Sequence, residues 1–139
     1  MSTVMSIEQN RDLAFRGFDA INRQDAANLT AVFSPKWAAE INGWFPRINA
    51  TWAGHHVEVA ELVAEGDKVW CRLRTSGTHS GTHSGEWAGI PATGKRWANT
   101  GLWFLRIVDG RIVEVEWLFD EIGLMRQLGV SITPVDAAA

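Results

Sequence analysis

The side chain best placed to carry chemistry is the carboxyl group of Asp120. It stands between an apolar run that ends at Phe119 and the apolar stripe of a predicted helix that ends at Gly129. A carboxylate at the rim of a pocket can take up and return a proton as a general acid–base group. Just before a helix, the same side chain can cap the first turn, which stabilises a helix by roughly 1 kcal/mol. Both roles stay open, and alternation along the preceding strand favours the cap.

Four histidines are the other titratable candidates. His55 and His56 are adjacent, whereas His79 and His83 come from two consecutive copies of Gly-Thr-His-Ser at 77–84. Four histidines can suggest a metal site, but no cysteine accompanies them and no His-x-x-x-His pair falls on a predicted helix. We therefore expect no metal, and we predict that His79 and His83 are solvated residues at an extended hairpin tip.

Tryptophan is unusually abundant, with eight residues, and tyrosine is absent. Trp103 and Trp117 are predicted to lie on adjacent strands of the inner face of a sheet, and Trp97 and Asn99 share the parity of Trp103. Two interpretations of Trp103 and Trp117 remain open. Their indoles either fill a core or line an aromatic slot for a flat or cationic ligand.

A hairpin must position these side chains. Asp109-Gly110 between two apolar runs predicts a tight turn, because both residues tolerate positive φ. The two strands are predicted at 97–108 and 111–119. On the second strand, alternation places one set of residues inside (Val113, Val115, Trp117, Phe119) and the other outside (Ile112, Glu114, Glu116, Leu118).

The rest of the chain predicts helices first and strands afterwards. Ser6 and Gln9 form a capping-box pattern for a helix that ends near 22–25, and a short helix follows at 26–33. From 37 to 52 apolar residues recur at helical spacing, but Gly43 and Pro46 interrupt them, so we predict a broken helix. Two further strands are predicted at 57–63 and from 67 to at least 75. Helices followed by mostly antiparallel strands indicate an α+β fold.

Length and composition limit the class of protein. A chain of 139 residues fits one domain, with a core at about 6–129 and loose termini at 1–5 and 131–139. A formal net charge of −3 without a basic stripe argues against nucleic acid as a partner. No run of membrane-spanning length and no signal peptide is evident, so we expect no membrane partner. The single Cys71 fits a reducing, cytoplasmic setting.

Three stretches resemble one family of proteins. They are IVDGRIVE at 107–114, DEIGLMRQLG at 120–129 and GTHSGEWAGIPATGKRW at 81–97. Together they resemble the SnoaL-like polyketide cyclases (ester cyclases), and the similarity runs from about Glu58 to Gly129. The resemblance implies the cone-like fold of nuclear transport factor two, in which a curved sheet wraps helices around a pocket. It also implies a homodimer formed through the sheet.

The resemblance further implies a chemistry. Cyclases of the family close a ring by intramolecular aldol condensation without cofactor or metal, using a carboxylate that takes an acidic α-proton. An apolar pocket would help by raising the pKa of that carboxyl group. The family's catalytic Asp and partner His positions fall on Trp117 and Trp103 here, and an indole cannot transfer a proton at neutral pH. Proton transfer would therefore depend on Asp120 or His79.

The resulting hypothesis is a cofactor-free, cyclase-type protein acting on a hydrophobic, aromatic or polyketide-like molecule by cyclisation, isomerisation or hydration. Its expected binding residues are Phe15, which matches a pocket position of the family, and Trp37, Asn99, Trp103 and Trp117. The alternative is a non-catalytic binding or structural protein that has the same fold and pocket but lacks the acid–base pair. Ketosteroid isomerase and scytalone dehydratase chemistry is not supported, because each uses tyrosine.

Overall fold

The computed structural model of the chain describes residues 5–82 and 89–135. In chain order its elements are α1 (Ile7–Arg23), α2 (Ala26–Val32), α3 (Pro35–Thr51), β1 (Trp52–Glu65), β2 (Lys68–His79), β3 (Arg96–Val108), β4 (Arg111–Phe119) and α4 (Glu121–Gln127). The predicted α+β class is therefore confirmed. His83 lies outside the described residues, as do 1–4 and 136–139 of the predicted loose termini at 1–5 and 131–139.

The four strands form one antiparallel sheet in the order β1-β2-β3-β4, so that each strand pairs with its neighbour in sequence. The turn between β3 and β4 is the predicted Asp109-Gly110, whose φ angles are 50° and 76°. Two positive φ values match the right-handed twist of the flanking strands, which is why this dipeptide favours a hairpin. β1 and β4 are consequently the two edge strands.

Helix α1 begins with the predicted capping box. The Ser6 Oγ accepts a hydrogen bond from the Gln9 N–H at 3.1 Å, and the Gln9 Oε1 accepts one from the Ser6 N–H at 2.8 Å. Near the other end of α1, the Asn22 side chain both donates to and accepts from the Val57 backbone, each at 2.8 Å. These polar bonds hold the helix across β1, and its buried stripe packs on the inner face of the sheet.

Packing of α1, α2 and α3 against the inner face creates the main core. Its largest fully buried members include Phe33, Leu29, Ile41, Leu73 and Ile112. A second, smaller cluster of Trp97, Leu124, Met125 and Leu128 lies where α4 covers the end of the sheet. The chain thus buries two adjacent apolar regions on one side of a single sheet.

The predicted break in the third helix is wrong, because α3 runs continuously from Pro35 to Thr51 with Pro46 inside it. Proline lacks an N–H, so one hydrogen bond of the helix is lost at that point. The buried side chains of Ala38, Ile41 and Phe45 pack one face of α3 into the core. Tertiary packing of this face compensates for the weak local propensity.

The predicted outward orientation of Ile112 is also wrong, because its side chain is completely buried. Arg106 pairs with Glu114 and Ile107 pairs with Ile112, so Val113 is an extra residue in β4. Such a β-bulge reverses the inside–outside parity of the residues before it. Just beyond the bulge Val115 is buried and Glu116 is exposed, as the alternation predicts, whereas Trp117 and Phe119 of the predicted inner set are 38% and 37% exposed.

Candidate functional site

Four tryptophans from three elements meet on the inner side of the molecule. Trp37 and Trp44 are seven residues apart on α3 and therefore lie on the same side of the helix. Trp103 on β3 and Trp117 on β4 are direct cross-strand neighbours. We call these four side chains the indole cluster.

The rings of the indole cluster are in direct contact. Trp44 lies with its ring centroid 6.1 Å from that of Trp103 and 5.3 Å from that of Trp117, both edge to face. The Trp103 and Trp117 centroids are 5.8 Å apart, and Phe18 approaches Trp103 from α1 at 5.2 Å. Each such aromatic pair contributes roughly 0.5–1.5 kcal/mol beyond its buried area.

The two tryptophans of the β3–β4 hairpin, Trp103 and Trp117, differ in how far their side chains are exposed to solvent. Trp103 is 5% exposed, whereas Trp117 is 38% exposed. Of the two interpretations made from the sequence, the filled core describes the surroundings of Trp103, and an open aromatic surface describes those of Trp117. Within the described ranges, the Trp103 Nε1 has no hydrogen-bond partner.

An open cleft of about 420 Å³ adjoins the exposed side of the indole cluster. Its lining residues are Trp37, Phe104, Val115, Glu116, Trp117 and Leu118. Consecutive residues of a strand point to opposite faces, so a cleft lined by 115–118 crosses the free edge of β4. It therefore combines indole rings from the inner side with one carboxylate from the outer side.

Asp120 caps α4. Its Oδ1 accepts a hydrogen bond from the Gly123 N–H at 2.9 Å, and the side chain is exposed. Gly123 permits this arrangement, because a Cβ at that position would collide with the Asp120 carboxylate. Asp120 is not one of the cleft-lining residues.

Asn99 is buried beside Asp120. Its Nδ2 donates to the Asp120 backbone oxygen at 2.9 Å, which ties β3 to the start of α4. The neighbouring residue Ala98 is held by Gln127, whose side chain donates to the Ala98 oxygen at 2.8 Å and accepts from the Ala98 N–H at 3.0 Å. Both amide side chains thus act in joining β3 to α4.

The predicted position of His79 in a solvated hairpin tip is wrong. β2 continues through His79, and its alternation turns this side chain inward, where it is completely buried. The His79 Nδ1 lies 3.1 Å from the Thr93 Oγ1 and accepts from the Thr93 N–H at 3.3 Å. Burial lowers the pKa of the His79 imidazole. A hydrogen bond between this side chain and the backbone of Gly81 partly opposes the shift. The imidazole ring also packs beside Trp52, with centroids 5.1 Å apart.

The remaining sequence predictions fall in different places. Phe15 is 45% exposed on α1, outside the buried stripe of that helix. Trp44 was missed as a site residue, although it contacts both Trp103 and Trp117. Its seven-residue spacing from Trp37 is the signal that could have found it, and the predicted helix break concealed that signal.

Within the described residues the remaining titratable groups form no cluster for a metal ion, and burial shifts the pKa of two of them. Across 5–82 and 89–135, no group of three or more His, Cys, Asp or Glu side chains could hold a metal ion. Burial, and to a lesser extent the charge of His56, lowers the pKa of His55. Burial raises the pKa of the Cys71 thiol to about 12, which makes that thiol a poor nucleophile at neutral pH. None of the helices in the described part of the chain is long and apolar enough to cross a membrane.

The fold and the sequence match one family in comparisons with known proteins. The family model for SnoaL-like polyketide cyclase matches residues 48–128, which is more than half of the chain. The chain belongs to the SnoaL-like polyketide cyclase family.

Individual proteins are similar to this chain in sequence or in structure. Aklanonic acid methyl ester cyclase DnrD from Streptomyces peucetius is 36% identical over 74 residues, which are 53% of this chain and 48% of DnrD. The match thus spans about half the length of that curated relative. Among solved structures, TsrD from Streptomyces laurentii superposes with a TM-score of 0.75 at 26% identity, covering 91% of this chain and 99% of TsrD. AclR from Streptomyces galilaeus, a proposed hydroxylase, gives 0.71 at 25% identity, covering 94% and 91%.

The structural matches also confirm the predicted fold. Wild-type IdmH from Streptomyces antibioticus, a proposed polyketide cyclase, superposes with a TM-score of 0.72 at 26% identity, covering 88% of this chain and 99% of IdmH. The α+β architecture with a curved antiparallel sheet, expected from the resemblance, is the architecture of these neighbours.

Proposed function

We propose that this chain is a cyclase-type protein that acts, without a cofactor, on a hydrophobic, polyketide-like small molecule. The observation that carries the proposal is the 36% identity to an aklanonic acid methyl ester cyclase, within a family whose model covers residues 48–128. The half-buried indole of Trp37, the exposed indole of Trp117 and the cleft beside them offer an aromatic surface for a flat ligand.

The proposed reaction is an intramolecular aldol closure. A base removes an α-proton from one carbonyl group, the enolate carbon attacks a second carbonyl carbon, and the proton returns to the new alkoxide. The closure is therefore an isomerisation, for which a single carboxyl group suffices. We assign this role to Asp120, which follows β4 directly but does not line the cleft, because its exposed carboxylate keeps acceptor capacity beyond the one bond to Gly123. His79 is the second candidate, although Thr93 already engages its Nδ1.

A non-catalytic binding protein is the second proposed function. Indole rings occupy the two positions at which, by resemblance, the family carries its acid–base pair, and those rings pack against each other. The carboxylate closest to them in sequence serves as a helix cap. A protein of this kind would hold the same hydrophobic molecule at Trp37 and Trp117 and release it unchanged.

The decisive experiment compares the wild type with Asp120→Asn on aklanonic acid methyl ester, the compound in the name of the curated relative. Asparagine caps a helix about as well as aspartate, so Asp120→Asn keeps α4 while removing the acid–base group. We expect turnover to fall by roughly 100-fold or more with an unchanged melting temperature. Because ring closure conserves mass, the product is followed by chromatographic retention and NMR.

A control variant and a binding measurement distinguish the enzyme from the non-catalytic binding protein. Asp12→Asn, at an exposed position of α1, should leave turnover unchanged. Full activity in Asp120→Asn would disprove the assignment of this residue. Saturable quenching of tryptophan fluorescence without turnover, weakened in Trp117→Leu, would establish the binding protein instead.

We also propose that the chain forms a homodimer in the cytoplasm through the outer face of its sheet. Three apolar side chains on β1, β2 and β3 are substantially exposed on that face, namely Val63, Trp70 and Leu102. The free, buried Cys71 is in keeping with a reducing compartment.

A further inference from the structure

Glu116 is an unpaired carboxylate in an aromatic setting. Its neighbour on the same face, Glu114, bonds to Arg106 at 3.2 Å. Glu116 instead lies across from Phe104, and within the described residues it takes part in none of the ion pairs. A charge beside apolar rings that joins none of the ion pairs of the described residues favours a cationic ligand.

The indole rings that line the same cleft supply the second component of a cation site. The Trp37 and Trp117 centroids are 6.1 Å apart with the ring planes at 80° to each other, so the two rings form a corner. The Lys36 Nζ already lies 5.5 Å from the centroid of the Trp37 ring. This contact shows that an ammonium group can approach the face of Trp37, where the ring quadrupole attracts positive charge.

We propose that the cleft at the edge of β4 binds an organic cation of the alkylammonium class. Glu116 balances its charge, Trp37 and Trp117 present their rings, and Leu118 and Phe104 contact its apolar carbon atoms. A cleft of about 420 Å³ lies within the size range of small-molecule sites, roughly 300–1,000 Å³. A metal ion fits this lining poorly, because the cleft offers one carboxylate and no other hard ligand side chain. The inference does not depend on turnover.

The test uses choline and its neutral isostere 3,3-dimethylbutan-1-ol, which differ in the charged nitrogen alone. Indole N–H signals in ¹⁵N NMR spectra report which tryptophans contact the added compound. We expect choline to shift the signals of Trp37 and Trp117 and to bind at least about threefold more tightly than the alcohol. Glu116→Gln should remove that difference, because it keeps the shape of the side chain and removes its charge.

Two controls make the test specific. Glu58→Gln changes an exposed carboxylate on the opposite edge strand, β1, and should leave the preference for choline intact, which separates Glu116 from the general effect of net charge. Val63→Glu lies on the proposed dimer face but on β1, the edge strand opposite the cleft, and should bind choline as the wild type does. Equal affinities for choline and the alcohol would overturn the proposal, as would signal shifts confined to tryptophans outside the cleft. Binding seen in the Val63→Glu variant alone would show that a partner chain covers the cleft, and would also overturn it.

Discussion

The stretch of chain at His79 joins three segments. The Nδ1 of the buried His79 imidazole accepts from the Thr93 N–H, and the His79 backbone N–H donates to the Lys95 oxygen at 2.9 Å. Directly after it, the Ser80 and Gly81 N–H groups donate to the Thr51 oxygen at the end of α3, at 3.0 and 3.2 Å. A neutral imidazole suits this place, because the Thr93 N–H needs an acceptor.

The pKa of His79 predicts how stability depends on pH. Burial lowers this pKa in the folded chain below its ordinary value of 6.5, so the unfolded chain binds the proton more readily. Stability should therefore be complete above about pH 6.5 and fall as the pH drops below it, by at most ~1.4 kcal/mol per pH unit for one group. Urea unfolding between pH 5 and 8 measures this slope.

The contribution of His79 can be separated from that of His55, whose pKa is lowered in the same direction. His79→Gln keeps an acceptor for the Thr93 N–H and does not titrate, so the slope below pH 6.5 should become shallower. His55→Gln is the matched variant that removes the other titrating group. An unchanged slope in His79→Gln would contradict the role of this imidazole.

Residue-level predictions from the sequence succeeded where simple alternation applies. The buried positions of Trp97, Asn99 and Trp103 follow from period two along β3. The same alternation would have turned His79 inward, but the repeated Gly-Thr-His-Ser at 77–84 was interpreted as an extended hairpin tip beyond the strand predicted from 67 to at least 75. The capping role of Asp120 was anticipated because a carboxylate before an apolar helical stripe is a local signal.

At the scale of elements, Gln127 joins α4 to β3. Its side chain satisfies both backbone groups of Ala98, as a neighbouring strand would. Gln127→Ala should cost about 1–2 kcal/mol, because two hydrogen bonds are lost at a partly hydrated position. Gln127→Glu keeps an acceptor for the Ala98 N–H and loses the donor. Its free energy of unfolding should therefore lie between those of the wild type and the alanine variant. Denaturant midpoints compare the three proteins, and a Gln127→Ala variant as stable as the wild type would refute this account of the junction.

Helix α3 offers a stabilising substitution. Gly43 lies in the middle of this helix, and a Cβ built there would have no atom within 4 Å among the described residues. Gly43→Ala should therefore raise the free energy of unfolding by roughly 0.5–1 kcal/mol, since alanine loses less backbone entropy. The melting temperature measures the gain. A loss of stability would mean that α3 is not a regular helix at this position.

Elements specified by local chemistry were predicted well, and those that depend on long-range packing were not. The Asp109-Gly110 turn and the Ser6 capping box follow from the properties of adjacent residues. The bulge at Val113 accompanies the burial of Ile112, which pairs with Phe33 just after α2 in a short parallel bridge. Contacts between residues so far apart in sequence leave no local pattern from which the bulge could be predicted. Continuity of α3 through Pro46 likewise depends on the sheet beneath the helix.

At the scale of the whole molecule, the helices of the described residues cover one side of the sheet. Helices α1 to α3 pack on its inner face, while the outer face exposes Val63 and Trp70, 56% and 54% exposed. Trp70 also contacts Phe104 across the strands, with ring centroids 3.6 Å apart. Neighbouring exposed apolar side chains of this kind mark a protein interface in a globular protein, which is why we place the proposed dimer contact here.

Trp70→Glu tests the proposed dimer, because a carboxylate in the centre of an apolar contact lacks a partner and remains costly to bury. We expect the wild type to elute with twice the mass of the chain in light scattering coupled to size exclusion, and Trp70→Glu to elute as a monomer with an intact circular dichroism spectrum. Phe15→Glu is the matched control, since it places the same charge at an exposed aromatic position of α1 in the helical layer. A monomeric wild type, or a dimer lost in Phe15→Glu and retained in Trp70→Glu, would rule out the sheet face. If instead Trp70→Glu alone dissociates the dimer, the uncovered face of the sheet is its interface.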